Sequence, residues 1–140
     1  MNFITNTLWL AEESWCALCH FWPITVTLAV AFVAASIYNF PFLSGRFRPR
    51  HLLVLVPLVI AVFILAWGSF MRPSDSQTLA PAWSSQVVTG LLITQALAAI
   101  GVVCCMKGYR WFSLFAVLME MWFGLACAFV ATMSVTNDWL

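Results

Sequence analysis

From Phe112 to Val135 the chain runs 24 residues with one charge, Glu120, near the middle. As an α-helix such a run is about 36 Å long, enough to cross a bilayer core of roughly 30 Å. Inside that core every backbone N–H and C=O has to be paired within the segment, so this stretch can only be a helix. A carboxyl group near mid-membrane is expensive, and it marks a functional position by default.

The rest of the chain has the same character. Of 140 residues, 64% are apolar and only 8% are charged, with a mean hydropathy of +0.97. Soluble domains are about 45–50% apolar. A chain of this size folded in water would leave roughly a third of its unfolded surface exposed, far too much for this composition, so lipid has to cover it. The formal charge of +1 creates no field that would draw nucleic acid.

Four apolar runs are set off by polar or proline-containing breaks, giving spans at about 23–40, 52–71, 86–106 and 112–135. The class predicted is all-α: a polytopic membrane protein of four transmembrane helices in an up-down bundle, residues 23–140, preceded by a short interfacial amphipathic helix, residues 1–22. Met1 to Trp22 has no basic leader and carries Glu12 and Glu13 where a signal peptide is apolar. At 100° per residue it puts Leu8, Ala11, Trp15, Leu18 and Trp22 on one face and Glu12, Glu13, Cys16, Cys19 and His20 on the other. Pro23 suits the first turn of a span, and Pro57 predicts a kink in the second. Lys107, Gly108 and Arg110 predict a tight turn between the third and fourth.

Five of the six Lys and Arg lie in the first and third loops, at Arg46, Arg48, Arg50, Lys107 and Arg110. The positive-inside rule then places both termini on the outer, periplasmic or lumenal side of a bacterial inner membrane or its equivalent. The three clustered arginines suit topology and anionic lipid.

On the fourth span Ser113, Glu120, Gly124, Cys127, Ala131 and Ser134 form a stripe of small and polar groups. The third span offers Gln86, Gly90, Thr94, Ala98, Gly101 and Cys105. Small residues let helices approach, so the two stripes are expected to pack on each other. Gln95 and Thr94 fall within about 5 Å of Glu120 in depth, which predicts a hydrogen bond between Glu120 and one of them. Glu120 is then either a neutral carboxyl holding helices together, a proton or cation relay in an oligomeric conductor, or a contact with a partner subunit. Proteolipid ring subunits of rotary ATPases also have four spans and a glutamate in the fourth. This chain has six glycines and lacks their glycine-ridged first and third helices.

A second signal is Cys16-Ala17-Leu18-Cys19-His20, which fits C-x-x-C-H, the attachment motif of c-type haem. His20 would be the proximal ligand, with Met71 or Met133 as the sixth. Glu12, Cys16, Cys19 and His20 share a helix face and offer a donor set suited to Zn²⁺ or copper. Cys-Ala-Leu-Cys ahead of an inward-running span resembles the quinone-linked disulfide oxidases over those four residues. That resemblance implies a redox-active pair and a second outward pair, whereas Cys104 and Cys105 lie at the opposite end. Two interfacial cysteines without a cofactor are the remaining reading. His20 and His51, the only histidines, fall at opposite faces and cannot clamp one haem b.

No hydrolytic triad or phosphate loop is present. The expectation is a small non-catalytic accessory, assembly or stabilising subunit in the lipid bilayer, not an enzyme on its own, packed with other membrane subunits or with copies of itself. The rivals are a redox or metal-binding subunit and the conductor.

Overall fold

The computed structural model describes residues 3–39, 49–72 and 80–136. The loop arginines Arg46 and Arg48, and Pro41 and Gly45 with them, lie outside the described residues. Five α-helices follow in order: α1 Phe3–His20, α2 Trp22–Asn39, α3 Val56–Phe70, α4 Trp83–Cys105 and α5 Arg110–Thr136, with a 3-10 segment Pro49–Leu55 leading into α3. No strand occurs among the described residues. Three stretches, His51–Phe70, Trp83–Cys105 and Arg110–Thr136, are long and apolar enough to cross a membrane, and the chain is read as an integral membrane protein on that basis. A fourth crossing exists only if α1 and α2 count together as one span, bent by 91°. The expected first span, 23–40, is therefore the second half of a broken pair.

The three long helices form an up-down hairpin series. Trp67 Nε1 at the end of α3 donates to the Ser84 carbonyl at the start of α4 (3.2 Å). At the other end of α4 the Tyr109 N–H reaches the Met106 carbonyl (3.1 Å), closing a four-residue turn. Gly108, at the turn's third position, has φ +93, a conformation that glycine adopts without strain. This is the tight turn that the sequence predicts at Lys107 to Arg110.

Pro57 does not kink the middle of a helix. It falls in the first turn of α3, where the absent N–H costs no helical bond. A regular α pattern cannot run through it from Leu53, and the chain before it is 3-10, the tighter form common at helix ends.

α1 is not alone on the surface. Its contacts run to α5 and α3, made through Leu10, Ser14 and Leu18, all buried. That packing face lies about 80° round the helix from the centre of the face holding Leu8, Trp15 and Trp22, which stays exposed. Leu10 joins Ala61, Ile64, Leu65, Val88, Cys127, Ala128, Val130 and Ala131 in one apolar cluster. Val54, Ala99, Val102, Met106, Phe112, Ala116 and Val117 form a second.

Helix α5 is the centre, touching each of the other four α-helices. Its closest approach is to α3: a Cβ built on Gly68 would lie 2.7 Å from the Ala131 Cβ. Ser134 Oγ donates to the Gly68 carbonyl there (3.3 Å). Of the predicted stripe, Ser113, Gly124, Cys127, Ala131 and Ser134 are buried and Glu120 is partly so. The matching stripe on α4 is a different matter. Gln86, Gly90, Thr94, Gly101 and Cys105 are exposed and Ala98 only partly buried, while α4 packs through Ser84, Val88, Gln95, Ala99 and Val102. The expected packing of Gly90, Ala98 and Gly101 on α5 is corrected accordingly. A Cβ at Gly90 or Gly101 would meet nothing within 4 Å.

Candidate functional site

Between the two apolar clusters lies a polar layer. On α5 the clusters occupy 112–117 and 127–131, and on α4 they occupy Ala99, Val102 and Val88. Glu120, Gly124 and Gln95 fill the gap. Gln95 is fully buried and its Nε2 donates to the backbone carbonyl of Glu120 (3.0 Å). Sequence depth thus brings the pair together, but the bond goes to the main chain and not to the carboxylate. Thr94 faces away and donates to its own helix at the Gly90 carbonyl (2.8 Å).

Gly124 makes room for this arrangement. A Cβ there would lie 2.6 Å from the Gln95 amide carbon, so any side chain at 124 displaces the amide. Glutamine alone among the α4 residues at this level carries a hydrogen-bonding group long enough to cross to α5. One N–H of Nε2 is used on that carbonyl, and Oε1 is buried with no hydrogen-bond partner among the described residues. Glu120 Oε2 is in the same state.

The opposite side of α5 is tied to the break between α1 and α2. Trp122 Nε1 donates to Thr25 Oγ1 (3.0 Å), and Thr25 Oγ1 donates to the Leu18 carbonyl (2.9 Å). Phe21 packs edge-on to Trp122 with centroids 6.0 Å apart. Trp122 thereby has its N–H satisfied at the bend. Neither Thr25 nor Gly68 stands out in the sequence. Thr25 follows Pro23 by two residues, and a threonine just after a helix-starting proline is the only hint that a broken helix end needs a side-chain partner.

The Cys16, Cys19, His20 motif sits on the last turns of α1. Cys16, Cys19 and His20 are exposed, as is Glu12, and His20 packs edge-on to Phe21 (5.5 Å). Among the described residues no three His, Cys, Asp or Glu side chains come together in a way that could hold a metal. Glu12 and His20 are two helical turns apart, about 12 Å along α1, so the four donors are strung along the helix and do not surround a point. Met71 and Met133 belong to the other end. Ser69 accepts from Thr7 Oγ1 (2.9 Å), which puts Met71 near the start of α1, and 13 residues of helix, about 20 Å, separate Thr7 from His20. Met133 lies beside Ser134, level with Gly68, again at the far end from His20. The groove next to the bend, lined by Ala17, Leu18, Phe21, Trp122, Leu125 and Phe129, is apolar.

No protein-family model, no curated protein and no solved structure matches this chain.

Proposed function

We propose that the chain is a small, non-catalytic integral-membrane subunit that stabilises or helps assemble a larger membrane complex, in a bacterial inner membrane or its equivalent with both termini outside. The observation that supports this reading is the outward face of α4. Only 22% of its apolar window is buried within the bundle, against 39% for each of the other two spans. On that open side Gly90, Thr94 and Gly101 form a row of small residues that the described helices leave exposed. In lipid, helices associate through van der Waals packing of small residues, since apolar surface alone gains nothing over lipid tails.

The test is purification from native membranes in mild detergent, comparing the natural chain with a Gly90→Leu, Gly101→Leu double variant. The natural chain is expected to carry other membrane subunits or further copies of itself in fixed ratio. The variant should lose them while keeping its own helicity and melting temperature, because the added side chains meet no intramolecular neighbour. A natural chain that runs as a lone monomer defeats the proposal.

A second reading, a redox or metal-binding membrane subunit built on Cys16, Cys19 and His20, rests on their C-x-x-C-H spacing. An absorption spectrum and metal analysis of the purified protein decide it, and the absence of both haem bands and stoichiometric metal removes it.

A further inference from the structure

We propose that Glu120 and Gln95 form a proton-binding site inside the helix bundle, with the proton on the Glu120 carboxyl and Gln95 Oε1 as its acceptor. The argument is a count of donors. Gln95 is fully buried, and its Nε2 is held on the Glu120 carbonyl, so the amide cannot turn over without giving up that bond. Oε1 is left as a pure acceptor. The Glu120 carboxylate is also acceptor-only when ionised, and its Oε2 is buried without a donor. Two buried acceptors in one layer lack the hydrogen that would satisfy them, and an unmet buried polar atom costs about 1–3 kcal/mol.

No donor among the described residues, the second N–H of Gln95 Nε2 included, makes a hydrogen bond to either oxygen. Helix α3 carries no ionisable side chain, α4 has only Cys104 and Cys105 at its far end, and α2 only Tyr38. The 3-10 segment carries Arg50 and His51, and His51 packs on Tyr109 (5.1 Å), three turns of helix before Glu120. Glu12, Glu13, Cys16, Cys19 and His20 are on α1, which lies against α5 from Trp122 onward. On α5 itself the ionisable neighbours are Arg110 and Cys127, ten residues before and seven after. The residues above and below the layer are apolar. Two side-chain oxygens fall well short of the six or more that Ca²⁺ or Mg²⁺ takes. A proton needs one donor oxygen and one acceptor, which is what the layer holds.

This inference stands on the interior of the bundle and does not depend on the subunit reading above. The experiment uses the full chain in lipid nanodiscs, treated with dicyclohexylcarbodiimide, an apolar reagent that adds to protonated carboxyls, followed by peptide mass mapping. Glu120 is only partly buried, so the reagent can reach it from the lipid. A stable adduct on Glu120 is expected, and its absence overturns the proposal. The infrared spectrum should contain a protonated-carboxyl C=O band that Glu120→Gln removes; a spectrum in which this variant removes only carboxylate bands overturns it independently, including the case in which a water bridges an ionised Glu120. Glu120→Gln itself is expected to fold and melt no lower than the natural chain, because its amide N–H₂ provides the missing donor. In Gln95→Met the band should move to higher frequency as its acceptor disappears, and an unmoved band refutes the pairing with Gln95.

Discussion

Substituting Gly68 by alanine tests the close main-chain approach of α3 to α5. The new methyl would stand 2.7 Å from the Ala131 Cβ and 2.9 Å from its Cα, where carbon atoms rest at about 3.5–4.0 Å. One of the obstructing atoms is main chain, so no rotamer change removes the clash, and α3 and α5 have to part by about 1 Å. Overpacking of this kind costs about 1–3 kcal/mol. The same movement stretches the Ser134 to Gly68 hydrogen bond beyond its 3.3 Å, and such bonds between membrane helices average about 0.6 kcal/mol. Against this stands the better helix propensity of alanine, at most about 1 kcal/mol. A net loss of about 1–3 kcal/mol is expected, read as the shift in an SDS unfolding titration in mixed micelles. Gly90→Ala is the control: with open space around its Cβ it should be neutral or gain up to about 1 kcal/mol. A Gly68→Ala loss below about 0.5 kcal/mol, or an equal loss in the control, refutes the close-approach argument.

Three further outcomes follow from the same geometry. Gly124→Ala should destabilise by about 1–3 kcal/mol by evicting the Gln95 amide, and adding Gln95→Ala in the same chain should recover part of the loss in a double-mutant cycle; simple additivity would show that the two do not touch. Thr25→Val leaves both the Trp122 N–H and the Leu18 carbonyl without their partner and should cost about 1–3 kcal/mol in the same titration, more than Thr132→Val, whose hydroxyl bonds only its own helix at Ala128. In single-cysteine variants Cys127, fully buried, should react with a maleimide only on unfolding, whereas Cys104 and Cys105, exposed at the end of α4, should label in the folded protein.

What could be read from the sequence follows from how directly each feature depends on one dimension. Span positions depend on apolar length, and the observed helices Trp83–Cys105 and Arg110–Thr136 differ from the expected bounds by three residues or fewer. Depth is also one-dimensional, which is why the sequence alone pairs Gln95 with Glu120. Rotation about the helix axis is not. Gly90 and Gly101 carry the same small-residue signature whether the surface they suit is α5 or something outside the chain, and only the buried row at Val88, Gln95, Ala99 and Val102 separates the two. On α1 the packing row is Leu10, Ser14 and Leu18. It was hidden because a serine at its centre is polar by composition, although its hydroxyl is satisfied within the helix at the Leu10 carbonyl (2.8 Å).

The central turn of α5 interrupts the apolar packing on both sides, and the two sides are built differently. Ser134 is level with Gly68 and Trp122 with the α1–α2 break. Twelve residues, about 18 Å of helix, separate those levels, so the break falls close to the midpoint of Arg110–Thr136. A helix that ends there leaves carbonyls without intrahelical donors, in a setting where lipid can supply none. Thr25 and Trp122 answer that need within the chain, each donor matched to an acceptor. The Gln95 side has the opposite balance, with Gln95 Oε1 and Glu120 Oε2 buried and without a donor among the described residues. Trp122 therefore explains itself as a structural tie, and Glu120 does not. A bundle that meets its polar requirements at one face of this turn and leaves them open at the other, two residues away, has in Glu120 the one group whose protonation state decides whether the layer is satisfied.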